Sequence, residues 1–244
     1  MDSASLAARI DQRMEKATRA LTTGEYFAAE TQALAALEAA RRIEDWDRMA
    51  RVCMPLQEAR RLKRQLAMEA GLRLVVRDQP RRAPDLRAGM RLVEPPCIGL
   101  DGRRLRETAD KKKSPMIVLA REPAVKTGPR AGLWPIVGVT GERESIGGPT
   151  GRLSVRAYVQ PPAGEVPDLT WFLSTGEALG DAALARIDPK DPAQWRVDDL
   201  LEMLDAVPDH EKLHQALAAA CREAITAPAP EEPRQFRAFK STSW

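Results

Sequence analysis

The feature that most constrains the fold is that the apolar period changes twice along the chain. Leu6, Ile10, Met14, Ala17 and Leu21 recur at spacings of three and four, which gives one buried stripe on an α-helix. After the interruption TTGEY at 22–26, a second periodic segment runs from Tyr26 to about Arg42. Asp45 can cap a third helix by accepting a backbone N–H, with Trp46, Met49, Val52, Cys53 and Leu56 on its inner side. Pro55 removes a backbone donor within that helix, so a kink or break near Met54 is expected. Beyond it, Leu62 and Leu66 extend the stripe to Gly71, a residue type suited to ending a helix.

The middle of the chain reads differently. Residues 78–96, DQPRRAPDLRAGMRLVEPP, are rich in proline and arginine and read as a linker. CIGL (97–100) reads as a short strand, DGRRLRETADKKK as a polar helix and PMIVLAREP (115–123) as an apolar strand, together a β-α-β unit. GLWPIVGVTG (132–141) and GRLSVRAYVQ (151–160) read as two more strands joined by a glycine-rich loop at 141–151. In the last of these, Leu153, Val155, Ala157 and Val159 alternate with Ser154, Arg156 and Tyr158, which predicts one buried and one wet face.

The final third returns to helical spacing. STGE (174–177) has the form of a capping box, and Asp191-Pro192 and Pro208-Asp209 are candidate helix starts. The expected fold is α+β: N-terminal antiparallel helices, a small mixed sheet with a β-α-β unit, and a helical C-terminal third. The expected division is a helical module at 1–77, a linker at 78–96, a mixed α/β domain at 97–226 and a mobile tail at 227–244.

The opening residues are charged throughout and no apolar run approaches a membrane span, so neither a secretory leader nor a membrane partner is expected. Three widely spaced cysteines argue against a disulfide framework and fit a reducing cytoplasm. The net charge of +3 hides an asymmetry: residues 1–160 carry 30 Lys/Arg against 20 Asp/Glu, and residues 161–232 carry 5 against 15. Halves of opposite sign can neutralise one another on docking, or offer a basic face to an acidic partner.

GEYFAAETQALAAL (24–37) resembles the second half of a tetratricopeptide repeat. Gly24 matches the turn glycine, Tyr26 the aromatic that opens the second helix, and Ala29, Ala36 and Leu37 the packing positions. Residues 6–21 supply the first arm, and Trp46 stands near where a next repeat would begin. Lys16, Ala17 and Arg41 depart from the family's usual leucine, glycine and closing proline. The resemblance covers residues 6–69 and implies a helical hairpin that binds other proteins.

His210 and His214 are the only histidines, and they frame Glu211 in the pattern H-E-x-x-H. In zinc peptidases two imidazoles at this spacing share one helical face, and the glutamate acts as general base toward the metal-bound water. No third histidine exists, so a third ligand would have to be a carboxylate such as Glu223, Glu231 or Glu232. Glu223 would lie about 13 Å along the same helix from His214 at 1.5 Å rise per residue, and the other two fall in the expected tail. The simpler reading makes His214 a packing residue on the stripe of Leu213, Leu217 and Cys221, with no cofactor. The glycine-rich stretch at 137–152 has neither phosphate-loop spacing and no helix is expected after it. The basic runs between 60 and 113 could neutralise nucleic-acid phosphates but lack interleaved aromatics for stacking. The expected function is a non-enzymatic protein–protein interaction or assembly protein acting through the helical module. Tyr26, Trp46, Arg60, Arg61, Arg64, Phe236, Phe239 and Trp244 are the candidate partner contacts. The alternatives are a zinc-dependent hydrolase using His210, Glu211 and His214, and a non-specific nucleic-acid binder using the basic segments of 60–113. The small-molecule ligand, if any, stays open.

Overall fold

The computed structural model describes residues 3–78, 84–142 and 152–230. Among them are seven helices and one five-stranded mixed sheet, the α+β arrangement that the changing period predicts. The first three helices follow one another closely: α1 (Ser3–Thr22), α2 (Tyr26–Arg42) and α3 (Trp46–Glu69). Gly24 takes a left-handed φ of 77° in the first turn, a conformation that costs glycine little. Ala29, Ala33, Ala36 and Ala40 are fully buried along α2, and such small residues let neighbouring helices approach closely.

Asp45 caps α3 as expected, accepting from the Arg48 N–H at 3.0 Å. Pro55 does not break the helix, which runs unbroken for 24 residues. Burial of Val52, Cys53, Leu56 and Ala59 around the proline offsets the lost backbone bond. The stop at Gly71 is present, with φ at 67°.

The sheet has the order β1-β2-β3-β4-β5, from β1 (Arg73–Val76), β2 (Gly89–Val93), β3 (Met116–Arg121), β4 (Trp134–Val139) and β5 (Ser154–Val159). The first three strands are parallel, and β4 and β5 are antiparallel to their neighbours. A β-α-β unit is present, but its first strand is β2, inside the stretch that reads as linker. CIGL is not a strand. Ile98 stands at the N-cap of α4 (Gly99–Lys111), and its N–H donates to the Asp101 carboxylate at 2.9 Å.

One sheet face, with Met90, Leu92, Ile117, Leu119, Ile136 and Val155, joins the main helical core. The other face packs Val93, Val118, Ala120 and Val137 against Leu105 of α4. On the main-core side lie α5 (Leu169–Leu184), α6 (Ala193–Ala206) and α7 (Glu211–Thr226), with α7 laid along α3 and α6 along α7. STGE proves to be helix interior. The cap of α5 is Asp168, which accepts from the Trp171 N–H at 2.7 Å. Pro192 and His210, each one residue later than the sequence suggests, stand at the N-caps of α6 and α7. No helix among the described residues is long and apolar enough to cross a membrane.

Candidate functional site

The positive and negative halves of the chain meet along a seam between α3, α4, α5 and the connection from α6 to α7. On α3, Arg60, Lys63 and Arg64 share one side, because residues three and four apart are neighbours on a helix. Arg60 Nε donates to Glu30 of α2 at 2.7 Å, and Lys63 Nζ donates to the other Glu30 oxygen at 2.5 Å. Lys63 also reaches Asp110 of α4 at 2.5 Å. Arg106 of α4 grips Asp209 with two bonds of 2.6 Å. Arg103 reaches Asp205 at 3.0 Å, Arg41 reaches Asp198 at 2.6 Å, and Arg64 reaches Glu211 at 3.1 Å. Each of these last four contacts joins the basic part of the chain to the acidic part.

Burial alone would raise the pKa of Glu30, but the adjacent Arg60 and Lys63 charges outweigh it and hold the carboxyl down at about 2. Asp209 follows the same logic: burial raises it, and Arg106 more than compensates. A buried ion is tolerated only when its charge and its hydrogen-bonding capacity are both met. Glu30 and Asp209 meet that condition.

The H-E-x-x-H residues are part of this seam. His214 Nδ1 lies 3.0 Å from the carbonyl oxygen of His210. A carbonyl can only accept, so the proton sits on Nδ1 and the Nε2 lone pair faces the Arg60 guanidinium at 3.3 Å. That lone pair is the one a metal would need. Burial, reinforced by the Arg60 charge, pushes the His214 pKa down to about 3. His210 lies outside the helix and faces a different element: its Nε2 is 3.3 Å from Glu177 and 3.5 Å from Asp181, both on α5. Its pKa is lowered by burial, against the opposing pull of Glu177 and Asp181. Glu211 pairs with Arg64. Among the described residues no group of three or more His, Cys, Asp and Glu side chains is placed to hold a metal ion. The cysteines offer no activated thiol either: burial drives the Cys53 pKa up to about 12 and raises those of Cys97 and Cys221.

The candidate partner contacts separate into three groups. Arg60 is 7% exposed and committed to Glu30 and His214, so it is not a surface contact. Arg64 is half-buried beside Glu177 and Glu211. Tyr26, Trp46 and Arg61 keep part of their surface open; Trp46 is covered on one side by Arg41, 5.4 Å from its ring centre, and Arg61 pairs with Glu58. Phe236, Phe239 and Trp244 lie outside the described residues, as does most of the glycine-rich loop at 141–151.

Glu30, Lys63, Arg106 and Asp209 are not named as site residues from the sequence, where Asp209 enters only as part of a helix start. A signal existed for the first two: Glu30 lies beside Ala29 and Ala33, and Lys63 midway between Ala59 and Ala67, on otherwise alanine-lined faces. Charges at packing positions of opposite sign mark a buried pair.

Alongside the seam, a cavity of about 250 Å³ opens between α3, α4, α5 and the sheet. It sits where β3 and β4 part. Their pairing is confined to Ala120↔Val137 and Arg121↔Ile136, although the strands extend to Met116 and Val139. Ile117, Leu119, Val137, Phe172 and Leu204 give it an apolar floor, and Arg64, Arg103, Glu107 and Glu177 line its charged side. No family model, curated protein or solved structure matches this chain.

Proposed function

We propose that the protein is a non-enzymatic protein–protein interaction or assembly factor acting through its tetratricopeptide-like helical layer, α1 to α3. What carries this reading is that the layer is built from successive close-packed hairpins and then locked. Arg48 of α3 binds Asp11 of α1 at 2.7 Å and its own cap Asp45 at 2.7 Å. A rigid helical surface with part-exposed Tyr26, Trp46 and Arg61 suits recognition without chemistry, in keeping with the placement of binding functions on pre-formed surfaces.

Both alternatives draw on groups that are engaged elsewhere. A zinc hydrolase needs the His214 lone pair that Arg60 occupies. Within the basic segments of 60–113 that a nucleic-acid binder would use, Arg60, Lys63, Arg103 and Arg106 each face a carboxylate, while Lys111, Lys112 and Lys113 stand exposed. The test is affinity capture from host lysate with the wild type and a Tyr26→Ala/Arg61→Glu double variant, which leaves the seam intact. A partner held by the wild type and lost by the variant is expected. An identical set of captured proteins with both would overturn the proposal.

A further inference from the structure

We infer that the cavity beneath α5 binds a small molecule with a carboxylate head and an apolar body, a role separate from the interaction surface above. Four observations converge on it. First, Gly176 lies in the interior of α5 and lines the cavity, yet a Cβ added there would meet nothing within 4 Å. Glycine in a helix interior is destabilising relative to alanine, and no neighbouring atom of the described chain requires it. Its effect is to keep the space beside it open.

Second, the cavity wall carries polar groups whose bonding is incomplete. Arg64 Nε is buried with no hydrogen-bond partner among the described residues. Its Nη1 makes only long contacts, 3.4 Å to Glu177 and 3.4 Å to the Asp209 carbonyl oxygen. By contrast, Arg103 and Arg106 on the same wall are held by carboxylates at 3.0 Å and 2.6 Å. His210, only 2% exposed, also lines the cavity, and its Nδ1 has no partner among the described residues. Buried polar groups without partners are rare and call for a ligand or other explanation. Third, the parting of β3 and β4 exposes an apolar floor, while Leu34 and Glu107 at the rim are open to solvent and give access.

Fourth, the unsatisfied groups set the ligand's chemistry. Arg64 is the cation of this wall least saturated by the protein's own carboxylates. A small rotation away from Glu177 presents Nε–H and an Nη–H side by side, the fork that a carboxylate fits with two bonds. The tail then lies over Ile117, Leu119 and Phe172, where water is displaced. A cationic head placed at this fork would meet the Arg64 charge, although Glu107 and Glu177 stand on the same wall.

Three probes of matched length test this: hexanoate, 1-hexanol and hexylamine, titrated into the full chain and followed by heteronuclear NMR. Hexanoate is expected to bind tightest and to shift the amides of Arg64, Gly138, Gly176 and Glu177. Arg64→Gln should weaken hexanoate by about tenfold or more, the loss of a charged hydrogen-bonded contact, and leave 1-hexanol unchanged. Gly176→Leu should fill the space and abolish binding of both. The wild-type ranking needs no variant to fold. Hexanoate binding no tighter than 1-hexanol or hexylamine, no binding of any probe, or hexanoate binding retained by folded Gly176→Leu would each overturn the inference.

Discussion

Gly176 and Gly180 lie one turn apart on the same side of α5, and their surroundings are opposite. A Cβ at Gly180 would fall 2.0 Å from Cγ of His210, whereas a Cβ at Gly176 would enter empty space. Around Gly180 the seam is sealed: the His210 ring is pressed onto the helix, and behind it His214, Arg60, Glu30 and Lys63 form a chain of short contacts. Around Gly176 the seam gapes, with loose Arg64 contacts and a sheet whose strands have parted. The contrast teaches that His214 belongs to the structural half of this region, while His210 stands at the border, its ring pressed onto Gly180 and its Nδ1 without a partner among the described residues beside the cavity. Any small-molecule chemistry belongs to the other half, where polar groups are left wanting.

Substitutions should divide along that line. The largest effect is expected for Glu30→Ala, which strands the buried Arg60 and Lys63 charges. Removing one partner of a buried ion pair costs roughly 3–5 kcal/mol, read as a lower midpoint in urea unfolding. Gly180→Ala comes next, because the His210 ring must move from a packed position. Overpacking of this kind costs roughly 1–3 kcal/mol, and a variant as stable as the wild type would show that the ring is not held there.

Acidification should load the sealed half. An unfolded histidine takes up its proton near pH 6.5, whereas folded His214 stays neutral down to about pH 3. Between those values the unfolded state binds the extra proton. Stability therefore falls as pH falls, by about 1.4 kcal/mol per pH unit for one such group. His210, lowered in the same direction, acts with the same sign. Glu30 adds a separate loss between its ordinary value of 4.5 and about 2, since its contribution is present above that window and disappears below it. Urea unfolding at several values between pH 7 and 5 should show this slope, and His214→Gln should remove one proton's share of it.

The smallest effect belongs to the open half. Gly176→Ala should raise stability by about 0.5–1 kcal/mol through helix propensity alone, seen as a higher thermal midpoint. A loss of stability there would mean that the space is not free.

Much of the fold was legible because its elements follow simple periods. The stripes of α1 and α2, the cap at Asp45 and the hairpin of β4 and β5 each match their sequence signatures. Strand β2 was not legible. Its five residues are all buried, so no alternation marks them. At its centre stands Arg91, fully buried, whose two Nη atoms donate to the carbonyl oxygens of Met90 and Arg87 at 3.0 Å and 2.7 Å, while its Nε has no partner among the described residues. An arginine between prolines reads as linker until the carbonyls that receive it are known. STGE failed for a related reason: Asp168, six residues earlier than Ser174, had already begun the helix.

The site was legible only in aggregate. Charge counts announced two halves of opposite sign, and of the stripe read for the last helix His214 is buried with Leu213, Leu217 and Cys221, whereas His210 stands outside that helix against α5. Which arginine meets which carboxylate depends on the crossing of α3 with α4 and α7, and no local pattern encodes that. The cavity depends on strands β3 and β4 diverging after two paired positions, which is likewise a tertiary outcome.

The central claim is that the H-E-x-x-H imidazoles are neutral parts of a charge-paired seam. Nitrogen-detected NMR of the two histidine rings, followed from pH 8 to 4.5 with and without added zinc, tests it most directly. The expected result is a His214 ring protonated on Nδ1 alone, unchanged across that range and indifferent to the metal. A His214 ring that titrates near pH 6.5, or whose Nε2 shifts when zinc is added, would contradict the account.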